Sequence, residues 1–262
     1  MDMKTEYCTV ETDGHILTVT LNRPEARNAL HADASHELGA VFDAFEADPD
    51  LWIAIITGAG DKAFCAGADL RSAMDRSKPP VPESGFAGLV WRFDRKKPVI
   101  AAVNGVAMGG GFEIALACDL IVAAENAIFA LPEPRVGLAA LAGGLHRLPR
   151  QIGLKRAMGM ILTGRRVSAA EGKELGFVNE VAAPAELMSV ARKWAGLIAE
   201  CSPMSIRASK EAVMKGLDEA SLEGAIVGQR KYPAVTAMFK SEDLIEGPLA
   251  FAQKRPPKWK GR

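Results

Sequence analysis

Residues 103–120 read VNGVAMGGGFEIALACDL, from Val103 to Leu120. Three consecutive glycines and a glutamate open an otherwise apolar helical run, and both choices cost stability. Glycine in a helix loses about 1 kcal/mol relative to alanine, and a carboxylate among Phe112, Ile114, Ala115 and Leu116 must be desolvated unless something holds it. The preceding segment PVIAAVNG is short and nearly all apolar, as in a strand covered on both faces. If that strand ends near Gly105 and a helix begins near Gly109, the glycines let the backbone pass close to a ligand. They also leave the first helical N–H groups without intrahelical acceptors. Those donors point at something negative. Glu113 falls in the first turn, where the helix dipole favours a carboxylate, so it is expected to stay charged beside an apolar chamber.

A second acid, Glu133, follows twenty residues on in AIFALPEPRVGLAALAGG, between Pro132 and Pro134, whose rings limit the local backbone. Two carboxylates on rigid turns beside backbone donors suit acid–base chemistry on a substrate that develops negative charge on oxygen. The partner donor is placed by a weak internal repeat. WIAIITGAGDKAFCAGADL and PVIAAVNGVAMGGGFEIALACDL each run through a strand, a Gly turn, a short apolar link, a Gly-containing bend and a helix start. In that alignment the GAD turn, Gly67-Ala68-Asp69, answers the GGG turn, and the Ala68 and Gly110 N–H groups share one oxyanion. Each element also has a structural reading. Taken alone, GGG before a helix reads first as close packing or a turn, Glu113 and Asp69 as helix caps, and Asp119 as a turn or strand-edge residue. His31, His36 and His146 lack ligand-like partners, so they take surface or structural roles and no metal site is expected.

The rest of the chain fits one large domain, or one with a small terminal subdomain: 262 residues, 48% hydrophobic. Lys+Arg and Asp+Glu balance at 32 each, so no global field favours nucleic acid or an anionic membrane, and any anion site is local. Cys8, Cys65, Cys118 and Cys201 lack zinc spacing and read as buried free thiols of a reducing compartment. The N-terminus MDMKTEYCTV lacks a signal-peptide core, and no stretch approaches the ~18 apolar residues of a membrane span, so a cytoplasmic protein is expected. YCTVETDGHILTVTLN reads as a hairpin about Asp13-Gly14. SHELGAVFDAFEAD places Leu38, Val41, Phe42 and Phe45 at helical spacing before Pro49. WIAIITG and DLIVAAE read as buried strands, and from Ser168 onward the pattern turns all-helical. Prolines and small polar residues make Arg71 to Gly85 the candidate mobile loop.

LNRPEARNAL, AFCAGADL, KPVIAAVNGVAMGGGFEIALACDLIVAAENAIFALPEPRVGL, LTGRRVSAAEGKELGFVNEV and EGPLAFAQKRPPKWKG, in that order over almost the whole chain, resemble the landmarks of the enoyl-CoA hydratase/isomerase (crotonase) superfamily. The resemblance implies an α/β fold, a spiral of ββα units with a C-terminal helical trimerisation region. The core spans 1–197 and the helical region 198–262. It implies a homotrimer or dimer of trimers, no metal or redox cofactor, and coenzyme A bound as part of an acyl-CoA thioester substrate. Ala68 and Gly110 match the oxyanion-hole positions, and Glu113 and Glu133 the two catalytic glutamates of the hydratase branch. Ala26 and Arg27 resemble the adenine and phosphate neighbours of CoA, and Phe251 and Lys254 match tail positions that reach a neighbouring subunit's CoA site. Met74, in the variable loop, falls among the acyl-pocket positions. After Glu133 hydratases of the family usually carry a proline-glycine loop. Here Ala139-Ala140-Leu141-Ala142 precede Gly143-Gly144, which puts Leu141 near the expected acyl pocket.

Having both acids favours reversible syn hydration of a trans-2-enoyl-CoA, with Glu113 activating water at C3 and Glu133 delivering the proton to C2. The alternatives are a Δ3,Δ2-enoyl-CoA isomerase, a dehydratase specialised for a polar or aromatic acyl-CoA, and a scaffold or RNA-binding member of the fold. The intact acids and the lack of basic excess count against the last.

Overall fold

The computed structural model describes residues 3–69 and 80–262; Met74 and most of the Arg71–Gly85 loop lie outside the described residues. Strands β1 (Cys8–Asp13) and β2 (Ile16–Leu21) form the expected antiparallel hairpin, with Gly14 at φ 54° in the turn and Asp13 paired with Ile16. Strands β3 (Ile53–Gly58), β5 (Val99–Val103), β7 (Leu120–Ala124) and β10 (Glu180–Ala182) then add in parallel, giving a sheet of order β1-β2-β3-β5-β7-β10.

The apolar runs of β3, β5 and β7 are explained by cover on both faces. Ile53, Ile55, Ile100, Ala102, Val122 and Ala124 pack on Leu187, Ala191 and Ala195 of helix α6 (Leu187–Ala199). Their alternates Ala54, Ile56, Ala101, Val103 and Ala123 join the main core with Leu38, Val41, Phe42 and Phe45 of α1 (Ala32–Ala47). Each such isoleucine or phenylalanine stabilises the fold by roughly 1.5–3 kcal/mol on full burial. Helix α1 begins where the His31 Nδ1 accepts the Ala34 N–H, and ends at Asp48, ahead of Pro49. His31 is therefore structural.

The repeat is richer than its sequence pattern. The short apolar link after each Gly turn is itself a strand: β4 (Ala63–Cys65), β6 (Val106–Met108) and β8 (Ile128–Ala130) pair in parallel, and β9 (Val167–Ser168) closes a second sheet of order β4-β6-β8-β9. Three residues are too few to show a period of two, so sequence reading merges such strands with their turns. Each unit lays one strand in each sheet, and in the second and third a helix follows among the described residues. Helix α2 (Gly110–Ala117) follows β6, and α3 (Gly144–Ile152) follows β8 after a 3-10 turn at Glu133–Val136. This is the α/β spiral of ββα units.

The chain continues through α4 (Leu154–Thr163) and α5 (Ala169–Leu175). Beyond α6 come α7 (Pro203–Gly216), α8 (Leu222–Gly228), α9 (Pro233–Met238) and α10 (Glu242–Ala252). The expectation of an all-helical C-terminal third needs one correction: β10 joins the large sheet beside β7 within it. A boundary at 197 falls inside α6. Asp119, at the foot of β7, is more than an edge residue. It pairs with Arg95 at 3.1 Å and with Lys210 of α7 at 2.8 Å, tying the helical region to the sheet. Those two cations hold its carboxyl below the usual range despite burial. Cys8, Cys65 and Cys118 are buried free thiols, but Cys201 is exposed, because it follows α6 at the surface. No helix among the described residues is long and apolar enough to cross a membrane.

Candidate active site

The GGG turn is explained by what lies against each glycine. A Cβ on Gly111 would stand 2.0 Å from the Cys65 carbonyl oxygen, one on Gly110 2.6 Å from Phe86 Cε1, and one on Gly109 2.6 Å from Glu133 Oε1. Gly109 also has φ 53° and ψ −123°, a conformation that side chains other than glycine's rarely adopt. Three neighbours therefore press on three successive residues: β4, an aromatic ring and the second acid.

The GAD turn lies alongside. A Cβ on Gly67 would meet the Met108 carbonyl oxygen at 2.7 Å and the Gly110 nitrogen at 3.2 Å. Its orientation is fixed by pairing with Leu30, whose N–H donates to Gly67 O and whose carbonyl accepts from Asp69 N–H, both at 2.9 Å. In such a parallel bridge the Ala68 N–H faces away from Leu30. Among the described residues the Ala68 and Gly110 N–H groups have no protein acceptor, and they belong to adjoining turns.

The RPEARN segment supports the same region. Arg27 (φ 54°) and Asn28 (φ 56°) are both left-handed, which asparagine tolerates better than most residues. Asn28 is fully buried: its Oδ1 accepts from Arg23 N–H, and its Nδ2 donates to Ala59 O and Ala63 O. The turn so fixed presents the Arg27 carbonyl to Ala66 N–H at 3.0 Å. Asp69, read as a cap, accepts from the Arg23 guanidinium at 3.3 Å and so locks the GAD turn to RPEARN. Ala26 lines a cavity of about 560 Å³ with Arg23, Ala66 and Ala68. Arg27 lines one of about 660 Å³ with Ala66, Met108, Pro132, Arg135, Arg165 and Arg166. The two share Ala66 as a wall.

Glu113 is 3% exposed, and its Oε1 accepts the Gly144 N–H at 2.9 Å. The helix dipole alone would keep this group charged. Instead burial dominates and raises its pKa to about 7, with the Glu133 charge adding to the rise. The Gly144 and Ala142 N–H groups and the Arg147 charge pull the other way. Glu133 opens the 3-10 turn between its two prolines, and burial pushes its pKa up as well. Its Oε2 is buried with no hydrogen-bond partner among the described residues. A buried carboxylate oxygen without a donor is costly, and a polar group brought by a ligand would relieve that cost.

Leu141, Phe251 and Lys254 do not line the two cavities beside Ala66. Leu141 is 74% exposed, just before the Gly143-Gly144 turn. Phe251 is 87% exposed near the end of α10, and Lys254 follows at φ 53°. His36 Nε2 meets the Pro80 carbonyl at 2.9 Å, and His146 is exposed on α3. Sequence reasoning missed Asn28, Phe86, Gly144 and the Arg165-Arg166 pair. Of these, only Asn28 carried a signal, a polar residue before the apolar Ala29-Leu30 step. The others became visible through contacts distant in sequence.

Residues 11–262 match the enoyl-CoA hydratase/isomerase family. The carnitinyl-CoA dehydratase of Proteus mirabilis is 46% identical over 258 residues, covering 96% of this chain and 97% of that protein. Its counterpart in Escherichia coli K12 is 48% identical over 257 residues, covering 95% and 97%. Among solved structures, an enoyl-CoA hydratase from Mycobacterium tuberculosis H37Rv superposes with a TM-score of 0.91 at 39% identity, covering 98% of this chain and 99% of that one. An enoyl-CoA hydratase from Bacillus anthracis gives 0.88 at 36% identity, covering 98% and 100%.

Proposed function

Because the chain belongs to the enoyl-CoA hydratase/isomerase family, we propose that it catalyses reversible syn addition of water across the 2,3 double bond of an enoyl-CoA thioester. The same machinery run backward dehydrates a 3-hydroxyacyl-CoA. The observation that carries this reading is the placement of Glu133 on Gly109, immediately beside the free N–H of Gly110, with Glu113 one turn along the same helix.

The Ala68 and Gly110 N–H groups receive the thioester oxygen and stabilise the enolate character that develops as water adds at C3. Glu113, held by Gly144 N–H, orients the water and takes its proton. Glu133 carries the proton that goes to C2. The two acids form a coupled pair that shares one proton across the reaction. An acyl chain that displaces water raises Glu133 further, because its Oε2 has no donor among the described residues, whereas Glu113 keeps the Gly144 hydrogen bond. Every step uses this chain's own side chains and backbone, and the CoA portion arrives with the substrate.

The arginines of the cavity beside Arg27 supply local positive charge for CoA phosphates in a chain of zero net charge. Exposed apolar side chains on the C-terminal helices, among them Leu217, Ile226, Phe239, Ile245 and Phe251, support the trimeric or hexameric reading in which Phe251 and Lys254 approach a neighbour's site. The 46–48% identity to carnitinyl-CoA dehydratases supports including carnitinyl-CoA among the substrates to try.

The test is a panel of 2-enoyl-CoA thioesters of varied length, with carnitinyl-CoA and a 3-enoyl-CoA included and products identified by mass. Gain of one water by an enoyl thioester, or its loss from a hydroxyacyl thioester, is the expected result. Conversion of the 3-enoyl thioester to the 2-enoyl form, with no hydration of any member, overturns the assignment in favour of isomerisation.

A further inference from the structure

The donor to Glu113 belongs to a turn that is itself held by a buried cation. Arg147 lies one turn along α3 from Gly144, and its guanidinium folds back over the Gly143 backbone. Its Nη2 donates to Val90 O at 2.5 Å and its Nη1 to Ala142 O at 3.4 Å, with the Phe93 ring centroid 5.8 Å from Cζ. A Cβ on Gly143, which sits at φ 114°, would stand 2.0 Å from Nη1, so the glycine is what lets the guanidinium lie against the turn. Two carbonyls on separate segments, Val90 and Ala142, are thus bridged by one planar fork, a geometry that lysine's point charge cannot reproduce. Among the described residues no carboxylate is in ion-pair contact with Arg147. This half-buried cation is held by two carbonyl dipoles, next to the turn that serves an acid.

We propose that Arg147 is a positioning residue for Glu113: it pins the Ala142–Gly144 turn to Val90 so that the Gly144 N–H stays on the carboxylate, and its charge favours the ionised acid. The proposal rests on Glu113 acting as the base toward water. Reciprocal electrostatics agree with it. Arg147 pulls the Glu113 pKa down against burial and against Glu133, while burial and Arg95 lower the Arg147 pKa and the Glu113 charge opposes them. Glu133 from the 3-10 turn and Arg147 from α3 are the charged groups that act on Glu113 among the described residues, and they oppose each other.

The experiment has two readouts. The first is the pH dependence of kcat/KM for hydration in Arg147→Gln and Arg147→Lys. The second is the titration of the Glu113 carboxyl in substrate-free enzyme, followed by infrared difference against Glu113→Gln in each background. Arg147→Gln is expected to move both the acid limb and the carboxyl titration upward, with KM little changed. Arg147→Lys restores the limb but keeps a several-fold loss of kcat, because the ammonium cannot span both carbonyls. A folded Arg147→Gln enzyme with lower thermal stability but an unmoved limb and titration overturns the proposal. If Arg147→Gln fails to fold, Arg147→Lys decides: wild-type kcat overturns the positioning role, and reduced kcat with a retained limb supports it. If Glu113→Gln itself still hydrates, the base assignment fails separately, and the carboxyl titration still reports whether Arg147 acts on Glu113.

Discussion

Glu113 and Glu133 stand on unlike supports. Glu113 projects from a helix, is nearly excluded from solvent, and has a backbone donor at 2.9 Å that belongs to a turn thirty-one residues away. Glu133 sits in a proline-bounded 3-10 turn with one oxygen lying over Gly109 and the other without a partner among the described residues. The first is tuned by what surrounds it, and the second is left for an incoming group to complete. Two carboxylates with the same intrinsic pKa are thereby given different environments, the general way in which a pair of acids comes to divide proton donation from proton acceptance.

The largest effect expected from this contrast is on turnover. Glu113→Gln and Glu133→Gln should each lower kcat for hydration by about 10²–10⁴-fold, the range for loss of a general acid or base. The double variant should fall far short of the product of the two losses, because in the proposed mechanism the pair handles one water. In heavy water the hydrated product should carry deuterium at C2, and the Glu133→Gln enzyme should lose that incorporation together with turnover. One single variant near wild-type rate would break the comparison, since an isomerase asks less of one acid.

The next effect sharpens the contrast through glycines. Gly110→Pro removes the N–H assigned to the oxyanion and should cost about 10²–10³-fold in kcat, as loss of one such donor does elsewhere. Gly109→Ala puts a methyl 2.6 Å from Glu133 Oε1 on a left-handed backbone and should be nearly as damaging. Gly144→Ala is milder. Its methyl meets Glu113 at 3.1 Å, a distance that a few tenths of an ångström of movement relieves, so a loss of only a few-fold is expected. Steady-state rates and thermal melts on the same preparations check that order. Equal losses for Gly109→Ala and Gly144→Ala would show that the two acids are held alike.

How much of this was legible beforehand depends on the length of the signal. The five-residue strand β5 and the sixteen-residue α1 carry a full period of apolar pattern, and their reading holds. The three-residue strands β4, β6 and β8 carry no period, so the second sheet was invisible although its turns were noticed. The acids and glycines were visible because each violates a local preference, a charge in an apolar run or glycine at a helix start. What their neighbours would be was not visible. Phe86 on Gly110, Cys65 O on Gly111 and the Gly144 donor to Glu113 are long-range contacts, and no local pattern encodes them. The ionisation of Glu113 was misjudged for the same reason: the dipole is local and readable, whereas burial, which outweighs it, is not.

The smallest effect expected is on stability, and it follows from that misjudged ionisation. The Glu113 pKa is about 7 in the folded chain against an ordinary 4.5, so between those values the folded state holds a proton that the unfolded state has released. A group with a raised folded pKa contributes stability that is fully present below the unfolded value and is lost as pH rises through the folded one. Wild-type enzyme should therefore lose stability between pH 5 and pH 8 by an amount on the order of 1.4 kcal/mol per unit of that separation. Glu113→Gln cannot ionise, yet its side-chain carbonyl can still accept the Gly144 N–H. Its stability should fall less over the same range, making it the more stable protein at pH 8 while it is the less active one. Urea unfolding of both proteins at pH 5 and pH 8 gives the comparison directly. The same measurement on Glu133→Gln should show a smaller difference, since Glu133 is less buried and its rise is the lesser one. Parallel pH dependence in wild type and Glu113→Gln would mean that Glu113 is ionised in the folded protein at no cost, and that the helix dipole and the Gly144 hydrogen bond suffice to offset its burial.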